Sequence, residues 1–133
     1  MSKWALCILL LFPIADIAAQ NKNLPEEAKP FVLPGFETLD YVTGDLNADN
    51  KADAILVLKQ NGEDSSFTET NRVLILLTRQ ANGKLKETIR NDSAILCFHC
   101  GGVFGDPYES ITIEKNGFEI SFYGGSAWRW GIT

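Results

Sequence analysis

Two stretches of the chain are almost continuously apolar between polar ends, residues 52–59 (ADAILVLK) and residues 72–79 (RVLILLTR). Short runs rich in aliphatic and β-branched residues suit strands buried on one or both faces. Just upstream, Leu39, Tyr41 and Thr43 alternate with Thr38, Asp40 and Val42, which is the two-residue period of a strand. Asn82-Gly83 lies between Thr78 and Leu85, and Asn116-Gly117 lies between SITIE and FEISF. Asn-Gly tolerates the left-handed backbone of a tight hairpin turn, so both dipeptides predict hairpins. The second hairpin takes its apolar positions from Ile111, Ile113, Phe118, Ile120 and Phe122. Residues 61–71 (NGEDSSFTETN) read as a polar loop with little to bury. No long segment carries a helical period. The expected fold is therefore all-β, with about seven antiparallel strands joined largely by hairpins.

The N-terminus breaks this pattern. Lys3 precedes an apolar stretch over residues 4–15, interrupted only by Pro13, and small residues follow at Ala18 and Ala19. A basic start, an apolar core and a small-residue exit predict a secretory signal peptide over residues 1–19. The stretch is shorter than the roughly 20 residues a membrane-spanning helix needs. No stable membrane insertion is expected once it is cleaved. Residues 20–34 contain Pro25, Pro30 and Pro34 and predict a linker, with a short helical turn over residues 26–29. Residues 35–133 form the single β domain. The chain stops within a strand pattern, so a further C-terminal piece is expected.

Composition narrows the chemistry. Of 133 residues, 45% are hydrophobic and 22% charged, as in an ordinary globular domain. The net charge of -5 disfavours a phosphate-backbone partner, so no nucleic acid is expected. Removing residues 1–19 takes away Lys3 and Asp16 and leaves that charge unchanged. It also removes Cys7, so Cys97 and Cys100 are the only cysteines left. In the secreted or periplasmic compartment that export implies, they are expected to bridge. One histidine in the whole chain excludes most histidine-based catalytic and zinc designs.

One loop carries a ligand pattern. Residues 45–53 place Asp45, Asn47, Asp49 and Asp53 at loop positions 1, 3, 5 and 9, with Lys51 at position 7 able to offer its carbonyl oxygen. Alternate oxygen donors on a tight loop are how a chain wraps calcium, a hard cation that takes six to eight oxygens. Asn50 stands where such loops favour glycine, and asparagine tolerates the left-handed turn. Position 12 is Leu56 rather than glutamate, and the loop lies between strands, which excludes a helix–loop–helix EF-hand. The competing explanation is a polar turn in which Asp and Asn side chains only cap the backbone.

The stretch Tyr41-Val-Thr-Gly44-Asp45-Leu-Asn47-Ala-Asp49-Asn-Lys-Ala-Asp53-Ala-Ile-Leu-Val resembles one FG-GAP/VCBS-type repeat, which reads approximately G-D-x-N-G-D-G-x-x-D before an aliphatic strand. The resemblance implies calcium ligands at Asp45, Asn47, Asp49 and Asp53 with the Lys51 carbonyl. Two repeat glycines are replaced, by Ala48 and Asn50. Members usually carry several repeats as propeller blades. A single copy here implies one blade-like unit, and the length excludes a full propeller. The part from Cys97 to Trp130 is also similar to secreted bacterial proteins.

Other constellations point less far. Cys97-Phe98-His99-Cys100 is a C-x-x-C pair, but glycines follow it and no βαβ pattern surrounds it, as a thioredoxin-like redox site would require. Zinc would need two further ligands. The glycines at 101, 102 and 105 lack a phosphate-cradle pattern, and Gly124-Gly125-Ser126 is not a nucleophile elbow. In a strand, Trp128 and Trp130 would share one face opposite Arg129. They offer either a ligand-stacking surface or a pair that closes the core. The sequence therefore predicts a secreted, non-enzymatic β module with a calcium loop and a binding or structural role. Carbohydrate and protein are the candidate ligand classes. The alternative is a secreted enzyme, either a hydrolase or a C-x-x-C thiol–disulfide oxidoreductase.

Overall fold

A computed structural model describes residues 24–66, 69–125 and 129–132. Among them are seven strands, β1 (Phe36–Gly44), β2 (Asp53–Gln60), β3 (Arg72–Arg79), β4 (Leu85–Ile95), β5 (Tyr108–Glu114), β6 (Gly117–Tyr123) and β7 (Arg129–Ile132). Every pairing is antiparallel between sequence neighbours. They form two open sheets, of order β1-β2-β3-β4 and β5-β6-β7, and the chain is all-β as its periodicity predicts. The first sheet is a four-stranded up-and-down meander. No closed barrel or propeller is formed by the described strands.

The nearly unbroken apolarity of β2 and β3 has a direct cause, since both strands are covered on two sides. Alternate residues Ala54, Leu56 and Leu58 of β2, with Val73, Ile75 and Leu77 of β3, form one core. The opposite residues Ile55, Val57 and Leu74 meet Ile111, Ile120 and Phe122 of the second sheet in another. The predicted hairpins are present. Asn116 has φ 63°, in the left-handed region, between β5 and β6. Between β3 and β4, the Asn82 side chain accepts from the Lys84 amide at 2.9 Å, and Gly83 has φ 81°.

Two segments differ from their sequence reading. Residues 24–34, expected as a linker, lie packed on the first sheet. Ala28 is fully buried, and Leu24, Phe31, Val32 and Leu33 rest against the core of alternate β2 and β3 residues. The expected helical turn is a turn running into a 3-10 helix over Lys29–Phe31. Three prolines make this segment irregular, which hides its apolar face from a period-based reading.

The loop after β2 also buries more than its polarity suggests. Glu63 is 3% exposed and Arg72 only 1%. Arg72 Nε donates to Glu63 Oε1 at 2.9 Å, while Nη1 and Nη2 donate to Asp106 Oδ1 and Oδ2 at 2.8 and 2.6 Å. The guanidinium also lies 5.9 Å from the centre of the Tyr108 ring. The Tyr108 hydroxyl donates to Asp40 Oδ2 at 3.0 Å. Burial, then the Asp40 charge, pushes the Tyr108 pKa upward, which keeps its proton on the hydroxyl as the donor. This polar chain ties the β2–β3 loop, the β4–β5 connection and β1 together. Pairing is what makes so much buried charge tolerable.

Cys97 and Cys100 are joined by a disulfide at the start of a 3-10 segment, Phe98–Phe104. Cys97 is 1% exposed, so its sulfur in the bridge is shielded from attack by an outside thiolate. The ring is small and contributes about 2 kcal/mol by loop entropy. Mass measurement of the protein purified without reductant is expected to fall two hydrogens short of the dithiol mass. Two freely alkylated thiols in the native protein would contradict the bridge.

Candidate metal centre

The loop of residues 45–52 joins β1 to β2 and is closed by the Gly44–Asp53 pair at the end of the strand register. Gly44 is required there, because a Cβ on it would sit 2.9 Å from Ile113 Cγ2 of β5. The loop begins at a point where the two sheets touch.

Its conformation is organised by its own carboxylates. Asp45 Oδ1 accepts from the amides of Asn47 at 3.3 Å and Asp49 at 3.2 Å, and Oδ2 accepts from Asn50 at 2.7 Å. Asn47 Oδ1 accepts from the Asp49 amide at 3.1 Å, and Asp49 Oδ1 from the Lys51 amide at 2.9 Å. The effect is to fold the side-chain oxygens inward. One carboxylate oxygen from each of Asp45, Asp49 and Asp53 lies within 4.8 Å of the others, close enough to hold a metal ion. The three differ in exposure, with Asp49 exposed, Asp45 half-buried and Asp53 fully buried.

Asp53 is fixed from two sides. Its Oδ2 accepts from the Leu46 amide at 3.0 Å and its Oδ1 from the Arg79 amide of β3 at 2.8 Å. It therefore links the loop to β2, its own strand, and to β3. Burial works to raise the Asp45 pKa, but the amides of Asn50, Asp49, Asn47 and Ala48 outweigh it, and the net shift is downward. The stability this group supplies is therefore present above the ordinary carboxylate pKa and is lost as pH falls through its lower folded value. Proton competition for a bound cation acts in the same direction.

Ala48 and Asn50 are both left-handed, with φ of 61° and 62°, a backbone conformation suited to glycine. For alanine that conformation costs on the order of 1–2 kcal/mol, partly offset because alanine is less flexible than glycine when unfolded. Ala48→Gly is expected to raise stability by up to about 1 kcal/mol in thermal or urea unfolding. A clear loss would contradict a left-handed residue 48.

Of the sequence-predicted ligands, Asp45, Asp49 and Asp53 converge. Asn47 turns its Oδ1 to an amide of the same loop, and the Lys51 carbonyl accepts from the Asp53 amide at 3.2 Å. The Lys51 ammonium lies 3.8 Å from Asp49 Oδ2, an exposed pair of little energetic weight. Of the aromatic pair, Trp128 lies outside the described residues. Trp130 stands opposite Phe122 in the β6–β7 register. The expected signal peptide also lies outside the described residues. Among the described residues, no helix is long and apolar enough to cross a membrane.

The sequence reading missed Arg79. Its Nε donates to the Ala52 carbonyl at 2.8 Å and its Nη1 to the Gly83 carbonyl at 2.7 Å, while both Nη atoms grip the Glu27 carboxylate at 2.8 and 3.0 Å. The hydrogen bond from Arg79 is the main cause that holds the Glu27 pKa below its ordinary value. The only hint in the sequence was an arginine ending an apolar strand.

No family model, curated protein or solved structure matches this chain.

Proposed function

We propose that the protein is a secreted, non-enzymatic β module whose 45–53 loop binds one calcium ion, with Asp45, Asn47, Asp49, Asp53 and the Lys51 carbonyl as ligands. The reading rests on one observation above all. Three carboxylates at loop positions 1, 5 and 9 converge within 4.8 Å on a loop whose positions 4 and 6 are both left-handed. An all-oxygen donor set containing three charges suits a hard divalent cation, and five donors on a short loop suit calcium's flexible geometry better than magnesium's strict octahedron. The resemblance to a single FG-GAP/VCBS-type repeat supports the same ligand set. Export is supported by the layout of residues 1–19 and is compatible with the Cys97–Cys100 bridge.

Calcium in this role is structural. It would neutralise the Asp45–Asp49–Asp53 repulsion and fix the β1–β2 connection, leaving the sheet surfaces to meet a carbohydrate or protein ligand. At a calcium level about 100 times the dissociation constant, binding to the native state alone adds roughly 2.7 kcal/mol. Thermal unfolding is expected to shift upward in calcium relative to chelator, and less in magnesium. Asp45→Ala or Asp49→Ala is expected to abolish the shift. Lys51→Ala is expected to keep it, because that side chain supplies no ligand atom. Coincident wild-type melting curves in calcium and chelator would overturn the proposal.

A further inference from the structure

Residues 24–34 cross one face of the first sheet as a strap, and the strap is fastened to the end of the candidate metal loop through one side chain. Arg79 holds Glu27 of the strap with two hydrogen bonds, at 2.8 and 3.0 Å. The same guanidinium holds the Ala52 carbonyl at 2.8 Å, and the Arg79 amide holds Asp53 Oδ1 at 2.8 Å. Ala52 and Asp53 are the last loop residue and the last candidate ligand. One residue therefore has its backbone on a ligand carboxylate, two of its side-chain nitrogens on the strap and a third on the loop's final carbonyl.

From this chain of contacts we infer that cation binding in the 45–53 loop and docking of the 24–34 strap are thermodynamically coupled through Arg79, which acts as a positioning residue for Asp53. The inference rests on the calcium reading of that loop. Without a cation, three mutually repelling carboxylates load Asp53, the group that Arg79 must keep in register. With a cation, Asp53 and Ala52 are fixed and the guanidinium is pre-set to receive Glu27. Beneath the strap lie Leu56 and Ile75, both fully buried, so the device controls how firmly an apolar sheet face is covered. Tyr41 packs against the same face, and its buried hydroxyl has no hydrogen-bond partner among the described residues.

Coupling is reciprocal, so the factor by which calcium favours the docked strap equals the factor by which docking tightens calcium. The test joins amide hydrogen exchange with calcium calorimetry on the whole purified protein. The Ala28, Phe31 and Val32 amides, which donate to Pro25, Ala28 and Lys29 carbonyls, report the strap. Calcium is expected to slow their exchange by roughly five-fold or more relative to chelator. Glu27→Ala is expected to weaken calcium binding by a similar factor and to remove the calcium-dependent protection. Glu27→Gln, a milder change at a half-exposed position, should do the same in part. Calcium binding with unchanged strap exchange would overturn the coupling and leave the calcium reading standing. So would a Glu27→Ala variant that melts earlier yet binds calcium as the wild type does. Absence of any calcium binding would overturn both.

Discussion

Arg72→Ala is expected to cost about 3–5 kcal/mol and to lower the melting temperature by on the order of 15 °C or more. The size follows from what is left behind. Glu63 is 3% exposed, and its only described cationic partner is Arg72. Asp106 loses the same guanidinium. Removing the arginine strands carboxylate charge in the interior, and the penalty is that of unpaired buried charge rather than the net worth of the ion pair. Arg72→Lys should fall between, because one ammonium cannot present a fork to each of two carboxylates. Adding Glu63→Gln and Asp106→Asn to Arg72→Ala should recover much of the loss, because no unpaired carboxylate then remains. Urea unfolding at neutral pH measures all of these. An Arg72→Ala protein within about 1 kcal/mol of the wild type would contradict the buried clasp.

The second large effect is at Asp53, where stability and cation binding meet. Asp53→Ala removes the acceptor for the Leu46 and Arg79 amides at a fully buried position. Each stranded amide costs about 1–3 kcal/mol, so a loss of roughly 2–6 kcal/mol is expected even in chelator. Asp53→Asn should lose less, since its carbonyl oxygen can still serve one amide. Asp49→Ala provides the contrast. Asp49 is exposed and its carboxylate accepts only from the Lys51 amide among the hydrogen bonds resolved there, so its removal should barely change melting in chelator. Both variants should lose the calcium response. Melting curves recorded with and without calcium separate the two roles. An Asp53→Ala protein as stable in chelator as the wild type would show that the residue does not bridge loop and strand.

Much of the architecture was legible because a strand's period is local. The runs at 52–59 and 72–79, the alternation after Thr38 and the two Asn-Gly turns each mark their own element without reference to the rest of the chain. The candidate metal loop was legible for the same reason, since its three converging carboxylates lie within nine consecutive residues. What escaped was long-range. Arg72 meets Asp106 across 34 residues, and Arg79 meets Glu27 across 52. Such partners carry no spacing rule, so Glu63 looked like one more polar residue in a polar loop. The strap escaped because Pro25, Pro30 and Pro34 prevent a regular element, and apolar residues without a period read as a linker. That β2 and β3 are covered on both faces was implicit in their unbroken apolarity. The second cover, however, is a short irregular segment rather than a sheet.

The most direct test of the metal loop is calorimetric titration of calcium into protein freed of divalent cations by chelator and then dialysed. The account predicts saturable heat for one ion per chain, with a dissociation constant in the roughly micromolar to millimolar range of extracellular calcium modules. It predicts weaker binding as pH falls toward the carboxylate range and no binding heat in Asp45→Ala. Wild-type protein that shows no heat above dilution at millimolar calcium would contradict it, and the 45–53 loop would then be a carboxylate-capped turn.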